Sequence, residues 1–320
     1  MMNRVSVHIV TYNSATDIEN CLEAVFQQNY PMEQILVIDN ASSDSTVDIL
    51  EEYLYQGKIH LVKNEINNGF AGAHNQALSM TTSEFVLILN PDVTLHQDYL
   101  YHLIKRMNEK PKVGSITGKL FYERTDIMDS TGLLIYRSRR AFERGTGEKD
   151  LGQYDQHKEI FGVSGAAALY RREMIQDISI DEEFFDETFF AYKEDVDVAW
   201  RARLFGWEAE FVPQAVGFHK RGWGSERKRQ AIPLKLRKLS YMNRYFMMLK
   251  NESFFWILVH LPYILWFELL SNGYLLLREP KVLLAWKDIF KSVPTMLHRR
   301  NEIQARMRKN FREIYRFFRS

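Results

Sequence analysis

The sequence predicts an α/β fold: a mostly parallel sheet flanked by helices, followed by a C-terminal helical region of different character. Three observations carry that expectation. Over the first hundred residues, short runs rich in Val, Ile and Leu alternate with stretches of helical length, the pattern of strands joined by crossover helices. These runs are nearly all apolar rather than alternating, as strands covered on both faces must be. The 320 residues are 46% hydrophobic and 26% charged, which excludes a disordered or fibrous chain and leaves room for about two structural units.

Val5–Val10 (VSVHIV) reads as the first strand and Thr11-Tyr12-Asn13-Ser14 as its exit, with a helix from there to about Gln28. Ser14 and Asp17 have the spacing of a capping box, Asp standing where Glu is usual. Gln34–Asp39 is the second strand, and a helix after Asn40–Ser45 ends near Tyr55. Ile59–Val62 is the third strand, Asn68-Gly69 turns into a helix from about Ala71 to Ser79, and Phe85–Leu89 is the fourth strand. From Tyr122 to Phe161 the chain is polar and rich in Gly and Arg, and reads as a long loop of the functional or mobile kind. Order resumes at Val163–Arg172. A helix starts near Glu194 and stops at Gly206, and Glu208–Pro213 is a further strand before His219.

In parallel sheets ligands gather at the carboxyl ends of the strands. That rule selects Thr11-Tyr12-Asn13, Asp39-Asn40, Asn67-Asn68-Gly69 and Asn90-Pro91-Asp92, all polar and each just past an apolar run. Neither G-x-G-x-x-G nor G-x-x-x-x-G-K-[ST] occurs, so dinucleotide and P-loop chemistry are excluded. The ligand is expected to be held by side-chain amides and carboxylates, with or without a metal.

Together these segments resemble family 2 inverting glycosyltransferases of the GT-A fold: VTYN (Val10–Asn13), VIDNASSD (Val37–Asp44), NNGFAGAHN (Asn67–Asn75), NPDV (Asn90–Val93), KEDVD (Lys193–Asp197) and His219. DSTG (Asp129–Gly132), RGTGEKDLGQYD (Arg144–Asp155), SGAAALYRR (Ser164–Arg172) and FFDETFFAYKEDVD (Phe184–Asp197) resemble the bacterial rhamnosyltransferase branch. The resemblance spans about residues 5 to 225. It implies transfer of a sugar, L-rhamnose from dTDP-rhamnose foremost, from a nucleoside diphosphate donor to a lipid-linked glycan. Another UDP-hexose or UDP-galactofuranose donor is the alternative within enzymes, and a catalytically silent nucleotide-sugar-binding partner the alternative outside them.

The resemblance also implies roles. Asp39 reads the base, Thr11, Asn13 and Tyr12 line the nucleotide pocket, and Asn68, Gly69 and His74 border it. Asn90-Pro91-Asp92 occupies the place of a D-x-D metal motif, so Asp92 with His219 would hold Mg2+ or Mn2+, while Asn90 bonds ribose or phosphate. Asp195 is the expected general base and Glu194 its support. A helix start is expected to depress the pKa of Asp195, and Asp197 is expected to be structural. Asp129, Arg144, Asp155, Gly165 and Ala166 are expected near sugar or acceptor.

Charge divides the chain. Residues 1–219 hold 20 Lys/Arg against 34 Asp/Glu, and residues 220–320 hold 22 against 7. A catalytic domain is therefore expected over 1–227 and a basic, aromatic-rich helical region over 228–320. Phe254–Leu277 is strongly apolar but broken by Pro262, Glu268 and Gly273, which favours two helices lying on an anionic membrane surface over one that spans. His298–Arg319 reads as a basic amphipathic helix. A homodimer interface is the alternative use of the same surface, and a nucleic-acid role is not expected, since the aromatics sit among aliphatic runs. Cys21, the lone cysteine, excludes an internal disulfide. With no leader legible near Val5–Val10, the expected location is the cytoplasmic face of the membrane, peripherally attached.

Overall fold

A computed structural model of the chain describes residues 3–221 and 232–320. Its first unit follows the predicted alternation: β1 (Val5–Thr11), α1 (Ile18–Phe26), β2 (Gln34–Asp39), α2 (Thr46–Tyr55), β3 (His60–Lys63), α3 (Gly69–Ser79) and β4 (Phe85–Leu89). β1 pairs in parallel with β2 and β4, and β2 with β3. The two-residue period of the strands divides the core. Val5, Val7, Ile9, Phe85, Leu87 and Leu89 pack with α1 on one face, and Val86 and Ile88 face the other way. Each such buried side chain contributes about 1.5–3 kcal/mol. The expected capping box does not form. Asp17 makes no side-chain cap, and the Ser14 carbonyl instead accepts from the Asp17 and Ile18 amides at 3.0 Å.

β5 (Val93–Leu95), α4 (Tyr99–Glu109) and β6 (Val113–Tyr122) continue the chain. The segment expected to be a loop is instead three short strands, β7 (Met128–Ser130), β8 (Leu133–Tyr136) and β9 (Ala141–Glu143). Their polarity hid them: Asp129, Ser130 and Thr131 are buried, and the buried Arg144 guanidinium donates to the Thr131 hydroxyl and carbonyl and to the His157 carbonyl. A polar segment can be interior when its hydrogen bonds close within it. β10 (Ala167–Arg171), α5 (Arg172–Ile178), α6 (Glu194–Leu204) and β11 (Glu208–His219) complete the main sheet, ordered β3-β2-β1-β4-β10-β6-β11-β5 with β7 beside β6. The sheet is mixed, not mostly parallel, because β10 runs antiparallel to both β4 and β6, and β5 to β11. That reversal matters for the site: it brings Gly165 and Ala166, which lead into β10, to the carboxyl end of β4.

The basic region is α7 (Leu234–Asn251), α8 (Phe254–Val259), α9 (Leu261–Arg278), α10 (Ala285–Arg306), α11 (Phe311–Tyr315) and β12 (Phe318–Arg319). The join between the two expected regions, with Gly222-Trp223-Gly224-Ser225, lies outside the described residues. α7 packs against α6, and Lys250 reaches the buried Asp186 and Asp197 at 2.6 and 2.8 Å. The expected helix over 298–319 is broken after Arg306. There the amides of Arg308 and Lys309 donate to the Leu204 carbonyl, and β12 joins β8 and β9 in a second small sheet. Its aromatics are used up inside: Tyr315 and Phe318 pack on Trp200. The apolar run does form two helices, divided at His260 rather than near its middle. Among the described residues no helix is long and apolar enough to cross a membrane.

Candidate active site

At the carboxyl edge of β1 and β2 the Thr11 hydroxyl donates to Asp39 at 2.9 Å, and Ser42 adds its amide at 2.9 Å and its hydroxyl at 2.5 Å. Asp39 is thus buried and fixed in direction. Asn13, at φ 54°, accepts from the Ser43 amide while its own amide donates to Ser42, so it braces the same loop. Tyr12 is exposed. Asn40 donates to the Gly69 carbonyl at 2.9 Å and ties α3 to this edge. Gly69 has φ 74°, and a Cβ there would overlap the Phe190 carbonyl, so the position requires glycine. His74 does not reach the site. It is buried within α3 against Phe70 and Phe185, and burial drives its pKa down to about 3.

Next to this edge lies a cavity of about 560 Å³ lined by Asn90, Glu143, Gly165, Ala166, Glu194, Asp195, His219 and Arg221, among others. The Asn90 amide donates to the Ala166 carbonyl at 2.8 Å, which holds the β4 exit against the β10 entry. α6 delivers the two acids from a backbone with Phe190, Tyr192 and Lys193 all at positive φ, strained for such residues. Asn243 of α7 holds that segment, its side-chain amide lying 2.8–2.9 Å from the carbonyls of Phe189, Ala191 and Tyr192.

Asp195 accepts from the Gly165 amide at 3.1 Å and the Val196 amide at 2.8 Å. Its pKa is raised, not depressed as the helix start led us to expect: burial outweighs the amides and the Lys193 charge. Glu194 is pushed up to about 8 by burial and by the neighbouring Asp195 charge, and one of its oxygens has no partner among the described residues. Glu143, across the cavity, is pushed up to about 7 by burial and by Asp195, although Ser130 and Ser164 donate to it at 2.5 and 2.9 Å. Three carboxyl groups therefore line one low-dielectric cavity, and the Asp195 charge disfavours charge on both glutamates.

His219 sits between two acids, Nε2 at 3.2 Å from Asp92 and Nδ1 at 2.8 Å from Asp129. Burial lowers its pKa, but these partners prevail and carry it up to about 9. Among the described residues no group of three or more His, Cys, Asp and Glu is arranged as a metal cage. The donor set nevertheless fits a hard divalent cation. Asp129 fixes the imidazole so that Nε2 and one Asp92 oxygen converge, and such ions complete their shells with water and phosphate oxygens. Cys21 lies beneath, its thiol 3.5 Å from the Asn90 carbonyl.

Residues 6–179, more than half of the chain, match the model of glycosyl transferase family 2. The chain belongs to that family. This family 2 chain is 24% identical over 217 residues to the poly-beta-1,6-N-acetyl-D-glucosamine synthase of Staphylococcus epidermidis, a match covering 66% of this chain and 48% of that one. It spans about half the length of the curated relatives it matches. In fold it is similar to Staphylococcus aureus TarS, with TM-score 0.59, 18% identity, and 95% of this chain and 50% of that one covered. It is also similar to a Pyrobaculum calidifontis mannosyltransferase solved with GDP-Man and Mn2+, with TM-score 0.58, 18% identity, and 96% and 86% covered. These likenesses show a GT-A-like mixed α/β fold.

Not every expected site residue of this family 2 chain faces the cavity. Asp129 acts behind His219. Arg144 is buried in the β7–β9 scaffold, and Asp155 pairs with Lys119 at 2.9 Å. Asp197 is enclosed by Arg201, Lys250 and Asn251, as expected of a structural acid. Sequence reasoning missed Glu143, Arg221 and Asn243. Arg221, which lies against Asp129 and lines the cavity, was signalled only by standing two residues after His219.

Proposed function

We propose that this chain transfers a sugar, with inversion, from a nucleoside diphosphate donor to a hydroxyl of a lipid-linked glycan in cell-surface polysaccharide synthesis. The observation that carries the reading is Asp195, fixed by two amides in a cavity lined by Asn90 and by His219, whose Nε2 lies 3.2 Å from Asp92. The acceptor hydroxyl gives its proton to the Asp195 carboxylate as its oxygen bonds to the anomeric carbon and the bond to the diphosphate breaks. The nucleoside diphosphate leaves. A raised pKa makes Asp195 a stronger base, while Glu194, protonated near neutrality, donates a hydrogen bond to a sugar oxygen. Asp39, with Thr11 and Asn13, holds the base, and Arg221 faces the departing diphosphate. Asp92 and His219 would hold Mg2+ or Mn2+, which supplies charge stabilisation to the leaving group.

The rhamnosyltransferase-like motifs support dTDP-L-rhamnose as the donor. The curated relatives, named as N-acetylglucosamine polymer synthases, support a second reading with UDP-N-acetylglucosamine. Residues 1–227 supply the catalytic part and 228–320 the membrane-facing part. The exposed Phe254, Phe255, Trp266 and Leu277 on α8 and α9 support peripheral attachment to an anionic leaflet on the cytoplasmic side. A donor panel of dTDP-rhamnose and UDP-sugars, read by mass spectrometry of lipid-linked product, tests the reading. Transfer from one donor, abolished by chelation and restored by Mn2+ or Mg2+, is expected. No transfer from any nucleotide sugar would refute it.

A further inference from the structure

The turn that presents Glu194 and Asp195 is strained, and the basic region holds it. After a single 3-10 turn over Glu187–Phe189, Phe190 lies at φ 60°, ψ −61°, and the Ala191 amide donates to the Phe189 carbonyl at 2.6 Å. That is a γ-turn of the rare, strained hand. Tyr192 and Lys193 follow at φ 73° and 68°, so three of the four residues before Glu194 have positive φ. Strain of this kind persists only where neighbours over-determine it. α7 supplies those neighbours. The Asn243 side-chain amide has two N–H groups and stands 2.8–2.9 Å from three carbonyls, those of Phe189, Ala191 and Tyr192. Lys193 Nζ donates to the Ser240 carbonyl at 2.8 Å and to its hydroxyl at 3.0 Å. On its other side the turn meets the nucleotide edge, where the Phe190 carbonyl accepts from the Ala71 amide at 3.3 Å, beside Gly69. Asn243 is fully buried, and its side-chain oxygen has no partner among the described residues. An apolar side chain would fill that place without an orphaned acceptor, so packing does not account for an amide there.

We infer that Asn243 is a positioning residue for the acid pair, so that α7 completes the catalytic centre. The inference goes beyond the proposed reaction and rests on its reading of Asp195 as the base. Asn243 does not line the cavity and acts through the turn. With the three carbonyls held, α6 starts where Asp195 meets the Gly165 amide and Glu194 stays enclosed. Without the amide, Phe190, Tyr192 and Lys193 relax towards ordinary backbone, the first turn of α6 moves, and Glu194 regains water. The charge divide near residue 219 is therefore not the edge of the working unit, which reaches into α7 at least as far as Asn243.

The test uses the full chain and two readouts. A carbodiimide with glycinamide modifies protonated carboxyl groups, and trypsin, cutting after Lys193 and Arg201, places Glu194 on the peptide 194–201, where tandem mass spectrometry locates the label. In wild type, labelling of Glu194 should persist up to about pH 8, because burial and the Asp195 charge keep its proton on. Asn243→Leu, which keeps the bulk and removes the donors, and the milder Asn243→Ser should each bring the labelling midpoint down by about two pH units. With the donor that the panel identifies, kcat should fall about 10²-fold while donor KM stays within about twofold. Circular dichroism checks the fold of each variant. A Glu194 midpoint unmoved in the folded variants, or an unaltered kcat, would overturn the inference. Failure of both variants to fold would overturn it too, by marking Asn243 as structural. Because the labelling needs no turnover, failure of the donor panel would refute the transferase reading without touching the placement of the acids.

Discussion

The first turn of α6 holds two kinds of acid within four residues. Glu194 and Asp195 face the cavity, answered mainly by backbone amides and by each other, and their pKa values rise. Asp197, one face away, is enclosed by Lys250, Arg201 and Asn251, and its pKa falls although it too is buried. All three feel the same helix terminus, so the macrodipole cannot explain the difference. Cation partners do. Acids left without a matching cation keep chemistry available, and acids given one become part of the frame.

Breaking the cavity side should give the largest effect. Asp195→Asn removes the proton acceptor but keeps its shape, so kcat should drop about 10²–10⁴-fold while donor binding is kept, as single-turnover rates and donor titration will show. Breaking the frame side comes next. Lys250→Met leaves Asp186 and Asp197 short of a buried cation and should cost about 3 kcal/mol in denaturant unfolding. The comparison sharpens with pH. Glu194 has a folded pKa above its unfolded one, so the folded state holds a proton that the unfolded state releases between about 4.5 and 8, and stability falls as pH rises through that window. Glu194→Gln should therefore match wild type below pH 4.5 and shift the urea midpoint increasingly upward towards pH 8. The smallest effect belongs to Asp155→Asn. Its partly exposed pair with Lys119 is worth under about 1 kcal/mol, and kcat/KM should change less than twofold.

The half of the sheet from β3 to β4 was legible because each strand is built on a short, largely apolar run and each crossover has helical length. The carboxyl ends of those strands then located Asp39, Asn90 and Asp92 without further help. β7 to β9 were not legible. They are three or four residues long, and the apolar positions they bury, Met128, Leu133 and Ile135, are separated by the buried polar run Asp129-Ser130-Thr131, which pattern reading assigns to a loop. Glu143 was lost with them, since nothing local marks a glutamate whose importance comes from facing α6. The motif containing Arg144 and Asp155 carries family likeness, yet in this molecule those two side chains fold the segment rather than line the cavity. His74 shows the converse: a residue in a strongly patterned motif whose ring is spent on packing with Phe70. The reversed β10, which makes the sheet mixed, leaves no periodicity signal, because direction is set by where the chain enters and not by the strand's composition.

Cys21 has a practical consequence. The chain's lone thiol is 1% exposed beneath Asn90, and burial raises its pKa far above that of a free cysteine. Only a thiolate reacts readily with maleimides and methanethiosulfonates, so the folded protein is silent towards those reagents without any substitution. A cysteine introduced at Leu265 or Leu269 on the open face of α9 would then be the sole labelled position. A nitroxide or fluorophore there would report whether that face enters a bilayer at all, with the wild-type protein as its own unlabelled blank.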